Sequence, residues 1–168
     1  RAYLMLLCDC FATTIIEKRN FTKEKFFLYH KGGKLGATLR LAKDIMITGN
    51  KMPIIDHKKS FTQALKIMNQ KKLGIVVIAK NRFINGLITD GDLRRALNKS
   101  PKEKKLSEIT RKYPLVINEN MPASKALGIM NEKKITSLLV VSDKCYKKKN
   151  KNLKGIIHIH LLLQDGIK

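Results

Sequence analysis

Three side chains at one point of the sequence have the types and spacing to hold a polar ligand: Thr89, Asp90 and Asp92, within Gly86-Leu87-Ile88-Thr89-Asp90-Gly91-Asp92-Leu93. A carboxylate such as Asp92 accepts hydrogen bonds from a ribose diol through its two oxygens, while Thr89 and the amides of an adjoining helix start can hold phosphate oxygens. The same residues also suit a helix terminus, because Thr and Asp are favoured N-caps and an acidic side chain complements the first turn. Capping alone would account for much of this string, and these residue types do not by themselves select the ligand reading. His30 is a second candidate, placed in the glycine-rich run His30-Lys31-Gly32-Gly33-Lys34-Leu35-Gly36, and a loop histidine titrating near neutrality can serve as general acid or base. A metal site is not expected: His57, His158 and His160 have no further ligands at metal-binding spacing, and Cys8-x-Cys10 has no matching pair downstream. With Cys145 the cysteines form no even disulfide set, which points to reduced thiols and a cytoplasmic protein.

The elements that must position these residues are legible as an internal duplication. Residues 64–73 (ALKIMNQKKL) align with residues 126–135 (ALGIMNEKKI), identical at seven of ten positions. In both copies the apolar residues fall on one helical face with lysines on the other. Ser60 is the expected N-cap of the first helix, and Pro122 fits the first turn of the second. A short extended segment precedes each helix, at 52–55 and 115–117, and an apolar run follows it, at 75–78 and 138–141. Those runs are too continuous for one-sided strands and are expected to be buried on both faces. A polar turn (80–82 or 142–152), a third strand (83–88 or 153–157) carrying Gly86 or Gly155, and a closing helix (90–97 or 160–164) complete each unit. The pattern is β-α-β-β-α over about 55 residues, twice, with 98–105 as linker. This predicts a mixed α/β (α+β) fold of two domains, 44–99 and 106–168, behind a helical segment spanning 1–43. Each unit alone offers too small a core for independent stability, so the two are expected to pack face to face through their strands.

Composition narrows the function class. The formal charge is +22, but the 35 basic residues comprise 28 Lys and only seven Arg, scattered along the chain among 11 Asn. Base and phosphate readers favour Arg forks on clustered basic faces, so a solvated basic surface without specific nucleic-acid binding is expected. No run approaches the about 18 apolar residues that a membrane span needs. Residues 3–8 are too short an apolar run, closed by Asp9, for a secretory leader, and the chain reads as part of a longer protein.

A unit of this order ending in a glycine, two apolar residues, Thr, two variable residues and Asp resembles the cystathionine-beta-synthase type (CBS) domain, which works in tandem pairs that often hold adenosine nucleotides. Further strings resemble the arabinose 5-phosphate isomerase family: Phe21-Thr22, His30 with Gly32-Gly33 and Leu35-Gly36, Asp44-Ile45-Met46, Thr48-Gly49, Leu73-Gly74, Thr89 through Arg95, and Ile135-Thr136-Ser137. Members carry a sugar-isomerase (SIS) domain followed by a CBS pair and interconvert ribulose 5-phosphate and arabinose 5-phosphate for lipopolysaccharide synthesis. The resemblance implies that residues 1–43 are the end of an SIS domain, that His30 is its active-site histidine, and that Thr89, Asp90 and Asp92 face a nucleotide. It implies a cytoplasmic homo-oligomer with a sugar-phosphate substrate, no required cofactor and an adenosine nucleotide as effector. The alternative is a free-standing CBS pair that senses such nucleotides. Three departures stand out: Lys31 in place of the proline that usually follows the histidine, a lysine-rich insertion at 147–151, and a second repeat with His158 at the hydroxyl position and Leu161 where Asp would stand.

Overall fold

The computed structural model describes residues 2–22, 25–26, 40–99, 105–148 and 151–167, and the chain divides into two compact units, Arg1–Leu39 and Arg40–Lys168. In the first unit, helix α1 (Ala2–Lys18) buries none of its residues. Tyr3, Leu4, Leu7, Phe11 and Ile15 are all more than half exposed. The loop that carries His30 lies outside the described residues.

The second unit begins with a one-turn helix, α2 (Ala42–Ile45), and a 3-10 turn at Gly49–Lys51. The first repeat then runs β1 (Ile54–Ile55), α3 (Phe61–Lys71), β2 (Ile75–Lys80), β3 (Phe83–Thr89) and α4 (Asp90–Lys99). A second one-turn helix, α5 (Leu106–Ile109), leads into β4 (Val116–Asn118), α6 (Ala123–Lys133), β5 (Ser137–Val141), the short α7 (Asp143–Tyr146), β6 (Leu153–His158) and the closing helix α8 (Ile159–Gln164). The expected β-α-β-β-α order is present in both copies.

Local chemistry accounts for the helix ends. The Ser60 hydroxyl accepts from the Gln63 amide at 3.3 Å while the Gln63 side chain accepts from the Ser60 amide at 3.1 Å, a reciprocal capping box. Lys72 and Lys134 end the paired helices in the left-handed region, at φ 53° and 52°. Pro122 stands one position earlier than expected, at the N-cap of α6. Two further differences concern connections. The closing helix α4 extends through Lys99 into the expected linker, and the turn after β5 folds into α7 (Asp143–Tyr146), with Asn118 donating to the Asp143 carboxylate at its first turn.

Each repeat forms a three-stranded sheet, ordered β1-β2-β3 and β4-β5-β6, with the first pair parallel and the second antiparallel. The central strands carry the long apolar runs, and alternate residues feed two cores. Val76 and Ile78 face the repeat-one helices with Ala64, Met68, Ile88 and Leu93. Ile75, Val77 and Ala79 turn the other way and pack with Leu139, Val141, Leu153 and Ile156 of repeat two. Burying one such aliphatic side chain contributes about 1.5–3 kcal/mol. Parting the sheets would therefore remove a term comparable to a small domain's whole stability, about 5–15 kcal/mol.

The two repeats also exchange their lead-in segments. Arg111, just ahead of repeat two, pairs with Leu87 on β3 of repeat one through Arg111 N to Leu87 O (2.8 Å) and Leu87 N to Arg111 O (3.1 Å). Ile47, just ahead of repeat one, pairs in the same way with Ile156 on β6 of repeat two. The glycine of each third strand makes this possible. A Cβ on Gly86 would lie 2.3 Å from Thr110 Cγ2 and 2.6 Å from Arg111 O, and one on Gly155 would lie 2.5 Å from Met46 Sδ.

Candidate functional site

Thr89 ends β3 and caps α4. Its hydroxyl accepts from the Asp92 amide at 3.2 Å, its own amide donates to Asp92 Oδ2 at 3.0 Å, and its hydroxyl donates to the same oxygen at 2.6 Å. The capping chemistry expected of these residue types is thus formed, with Asp92 closing the box. Asp92 carries more than a cap. Arg111 grips it with Nε 2.8 Å from Oδ2 and Nη2 2.9 Å from Oδ1, and Arg95 adds a contact to Oδ1 at 2.5 Å. The Asp92 side chain is only 10% exposed. Burial by itself would push its carboxyl up, but hydrogen bonds from Arg111, Thr89 and Arg95 outweigh it and hold the group well below the usual carboxylate range.

Asp90 does not join this cluster. Its carboxylate points outward to Arg94 at 3.1 Å, an exposed pair one helical turn apart, while its amide donates to Gly74 O. Structure thus brings Thr89 and Asp92 together and leaves the Asp90 side chain at the surface. Arg111 is the participant that sequence reasoning missed. The available signal was its type: among seven arginines in a chain of 28 lysines, Arg40, Arg94, Arg95 and Arg111 all meet a carboxylate. A rigid guanidinium fork suits such a pairing better than an ammonium.

Thr89 and Arg111 form one wall of a cleft of about 430 Å³ between the repeats. Leu87 on β3, Gly74 and Ile75 at the start of β2, residues 113–115 ahead of β4, residues 134–136 ahead of β5 and Ser137 at its start complete it. That volume lies within the range of small-molecule sites, about 300–1,000 Å³. Ser137 Oγ, on this lining, is buried without a hydrogen-bond partner among the described residues.

Among the described residues, repeat two offers no equivalent cluster. His158 takes the place of Thr89, Leu161 that of Asp92, and Ile47 that of Arg111. His158 is 8% exposed, and its Nδ1 accepts from the His160 amide at 3.3 Å, capping α8. Burial, and then the neighbouring His160, pull its pKa below the ordinary histidine value. Among the described residues no group of three or more His, Cys, Asp or Glu gathers as a metal ion would require. No helix among them is long and apolar enough to cross a membrane.

Residues 42–99 and 106–165 each match the CBS domain family. The chain belongs to the CBS domain family. Its CBS pair is similar to the protein RP505 of Rickettsia prowazekii, 39% identical over 98% of this chain and 50% of that protein. It is also similar to arabinose 5-phosphate isomerase KdsD of Escherichia coli K12, 34% identical over 97% of this chain and 49% of that enzyme. The chain therefore spans about half the length of the curated relatives it matches. Among solved structures, the CBS domain pair of protein MJ0100, in complex with 5'-methylthioadenosine and S-adenosyl-L-methionine, covers 77% of this chain and 99% of its own at TM-score 0.63 and 25% identity.

Proposed function

We propose that this CBS pair is the regulatory half of a sugar-phosphate isomerase and that it senses an adenosine nucleotide in the cleft beside Thr89. The observation that carries the reading is that Thr89 and Arg111, which line an inter-repeat cleft, are both tied to the Asp92 carboxylate behind them, an arrangement that repeat two does not share among the described residues. The adenosine ligands of the MJ0100 pair support the choice of ligand class.

In this reading the ribose hydroxyls donate to Asp92, the phosphate or its equivalent lies against Thr89 and the start of α4, where Asp90 opens the helix, and Arg111 turns to the anionic end. Asp92 already accepts from Thr89, Arg95 and Arg111, so an arriving diol must displace one of them. Arg111 is the one placed to leave. It belongs to the lead-in of repeat two, so its release changes how the two repeats are tied. Ligand occupancy and inter-repeat geometry are coupled through one side chain, as an effector site requires. No cofactor is needed for this role.

The isomerase assignment rests on the similarity to KdsD over 97% of this chain. In it, residues 1–43 belong to an SIS domain, His30 acts as an acid-base group on a sugar phosphate that other residues of the longer protein anchor, and the protein is a cytoplasmic homo-oligomer feeding lipopolysaccharide synthesis. The exposed apolar residues of α1 support this, because a helix with so much apolar surface belongs against a larger core.

The test is a thermal-shift series with AMP, ATP and S-adenosylmethionine. A ligand that binds only the folded state raises Tm with concentration, by about 2.7 kcal/mol of stability at 100 times Kd. At least one adenosine ligand should do so, and a flat response to all three would overturn the reading.

A further inference from the structure

A second concavity, of about 730 Å³, lies over the start of β3 and the start of β4. Ile84 and Val116 line its apolar part, and Lys112, Tyr113, Tyr146, Lys147, Lys148 and Lys151 line its polar part. The lysines approach from two parts of the chain, Lys112 from the segment between α5 and β4 and the other three from the turn between β5 and β6. Both parts are anchored. Ile84 N donates to Lys151 O at 3.0 Å and Leu153 N to Arg82 O at 2.8 Å, so the turn is stitched to β3, while Lys112 follows the Arg111–Leu87 bridge.

The charge of this groove is uncompensated. Lys133 and Lys154 meet Glu132 and Glu119, but none of these four lysines meets a carboxylate among the described residues. Four ammonium groups sharing one concavity repel one another, and an anion that enters is attracted by all of them. A single phosphate meets at most one or two. An anion with charge distributed along its length meets the set, and lysine suits it because an ammonium is a point charge that does not demand the two-pronged geometry of a guanidinium.

We propose that this groove binds a chain of linked phosphoryl groups, either inorganic polyphosphate or the tail of a nucleoside triphosphate. The site is separate from the Thr89 cleft, sharing with it only the wall at Tyr113 and Pro114, and it does not depend on the reading given for that cleft.

The test is titration calorimetry of the full chain with inorganic tripolyphosphate, which carries no nucleoside. The variant Lys147→Gln/Lys148→Gln/Lys151→Gln should bind about tenfold more weakly than the parent. A variant losing the same charge elsewhere, Lys51→Gln/Lys58→Gln/Lys125→Gln, should bind within about twofold of it. Equal losses in the two variants, or no binding by the parent, would overturn the proposal. Tyr146→Ala then separates the two sources while leaving the site standing. ATP weakened with tripolyphosphate unchanged identifies a stacked nucleoside triphosphate, and both unchanged identifies a bare phosphate chain.

Discussion

Arg111 Nε lies 2.8 Å from Asp92 Oδ2 and Arg111 Nη2 lies 2.9 Å from Asp92 Oδ1, so a residue leading into repeat two clasps the first turn of a repeat-one helix. The clasp is possible because Gly86 lets the Arg111 backbone lie against β3. Its partner carboxylate is held in place by the Thr89 cap.

The clasp predicts an acid-sensitive fold. The folded-state pKa of Asp92 lies below its ordinary value, so the stability it contributes is present above about pH 4 and is lost as pH falls toward the folded value. Thermal melts between about pH 5 and pH 2.5 should show Tm falling less steeply in Asp92→Asn than in the parent. Parallel slopes would show that this carboxylate does not carry the acid dependence.

Two glycines should answer oppositely to alanine. Gly86→Ala places a Cβ 2.3 Å from Thr110 Cγ2 and 2.6 Å from backbone Arg111 O, so it should lower Tm and loosen the clasp. Gly128 lies within helix α6 with nothing within 4 Å of an added Cβ, so Gly128→Ala should raise stability by about 0.5–1 kcal/mol. Urea unfolding of both variants checks the pair, and a neutral Gly86→Ala would contradict the close approach.

His158 predicts a second, milder pH effect. Its pKa is depressed in the fold, so the unfolded chain takes up a proton first as pH falls below about 6.5, and stability declines from there until the folded histidine also titrates. His158→Asn supplies a capping oxygen for α8 in place of Nδ1 and removes that titration. Its Tm difference between about pH 7.5 and pH 5.5 should be smaller than the parent's. An unchanged difference would assign the effect to other groups.

For the isomerase reading, the 168-residue chain should not interconvert ribulose 5-phosphate and arabinose 5-phosphate, whereas the protein extended upstream should. His30→Ala in the extended protein should lower turnover by about 100-fold, the scale of one acid-base group. Turnover by the chain alone, or an unimpaired His30→Ala enzyme, would contradict the assignment.

Much of the fold was legible because the duplicated helix repeats its own pattern and its ends carry recognisable chemistry, as at Ser60 and Gln63. The strands 75–78 and 138–141 announced their burial by unbroken apolar runs. The one-turn helices α2, α5 and α7 were not legible, since four residues are too few to show helical periodicity. At the site, Thr89 and Asp92 were singled out by their resemblance to the CBS signature, while their residue types by themselves indicated a helix cap; Arg111 lies 19 residues from Asp92 and reaches it only through the exchange of lead-in segments. His158 was noticed as a departure, yet its role as cap of α8 depends on a backbone turn that its neighbours do not specify.

The most direct test of the central claim is titration calorimetry of the chain with the adenosine ligand that gives the largest thermal shift. The account predicts one site per chain, affinity at least about tenfold weaker in Asp92→Ala, and little change in Leu161→Ala. Two equivalent sites, or equal losses from the two substitutions, would contradict it.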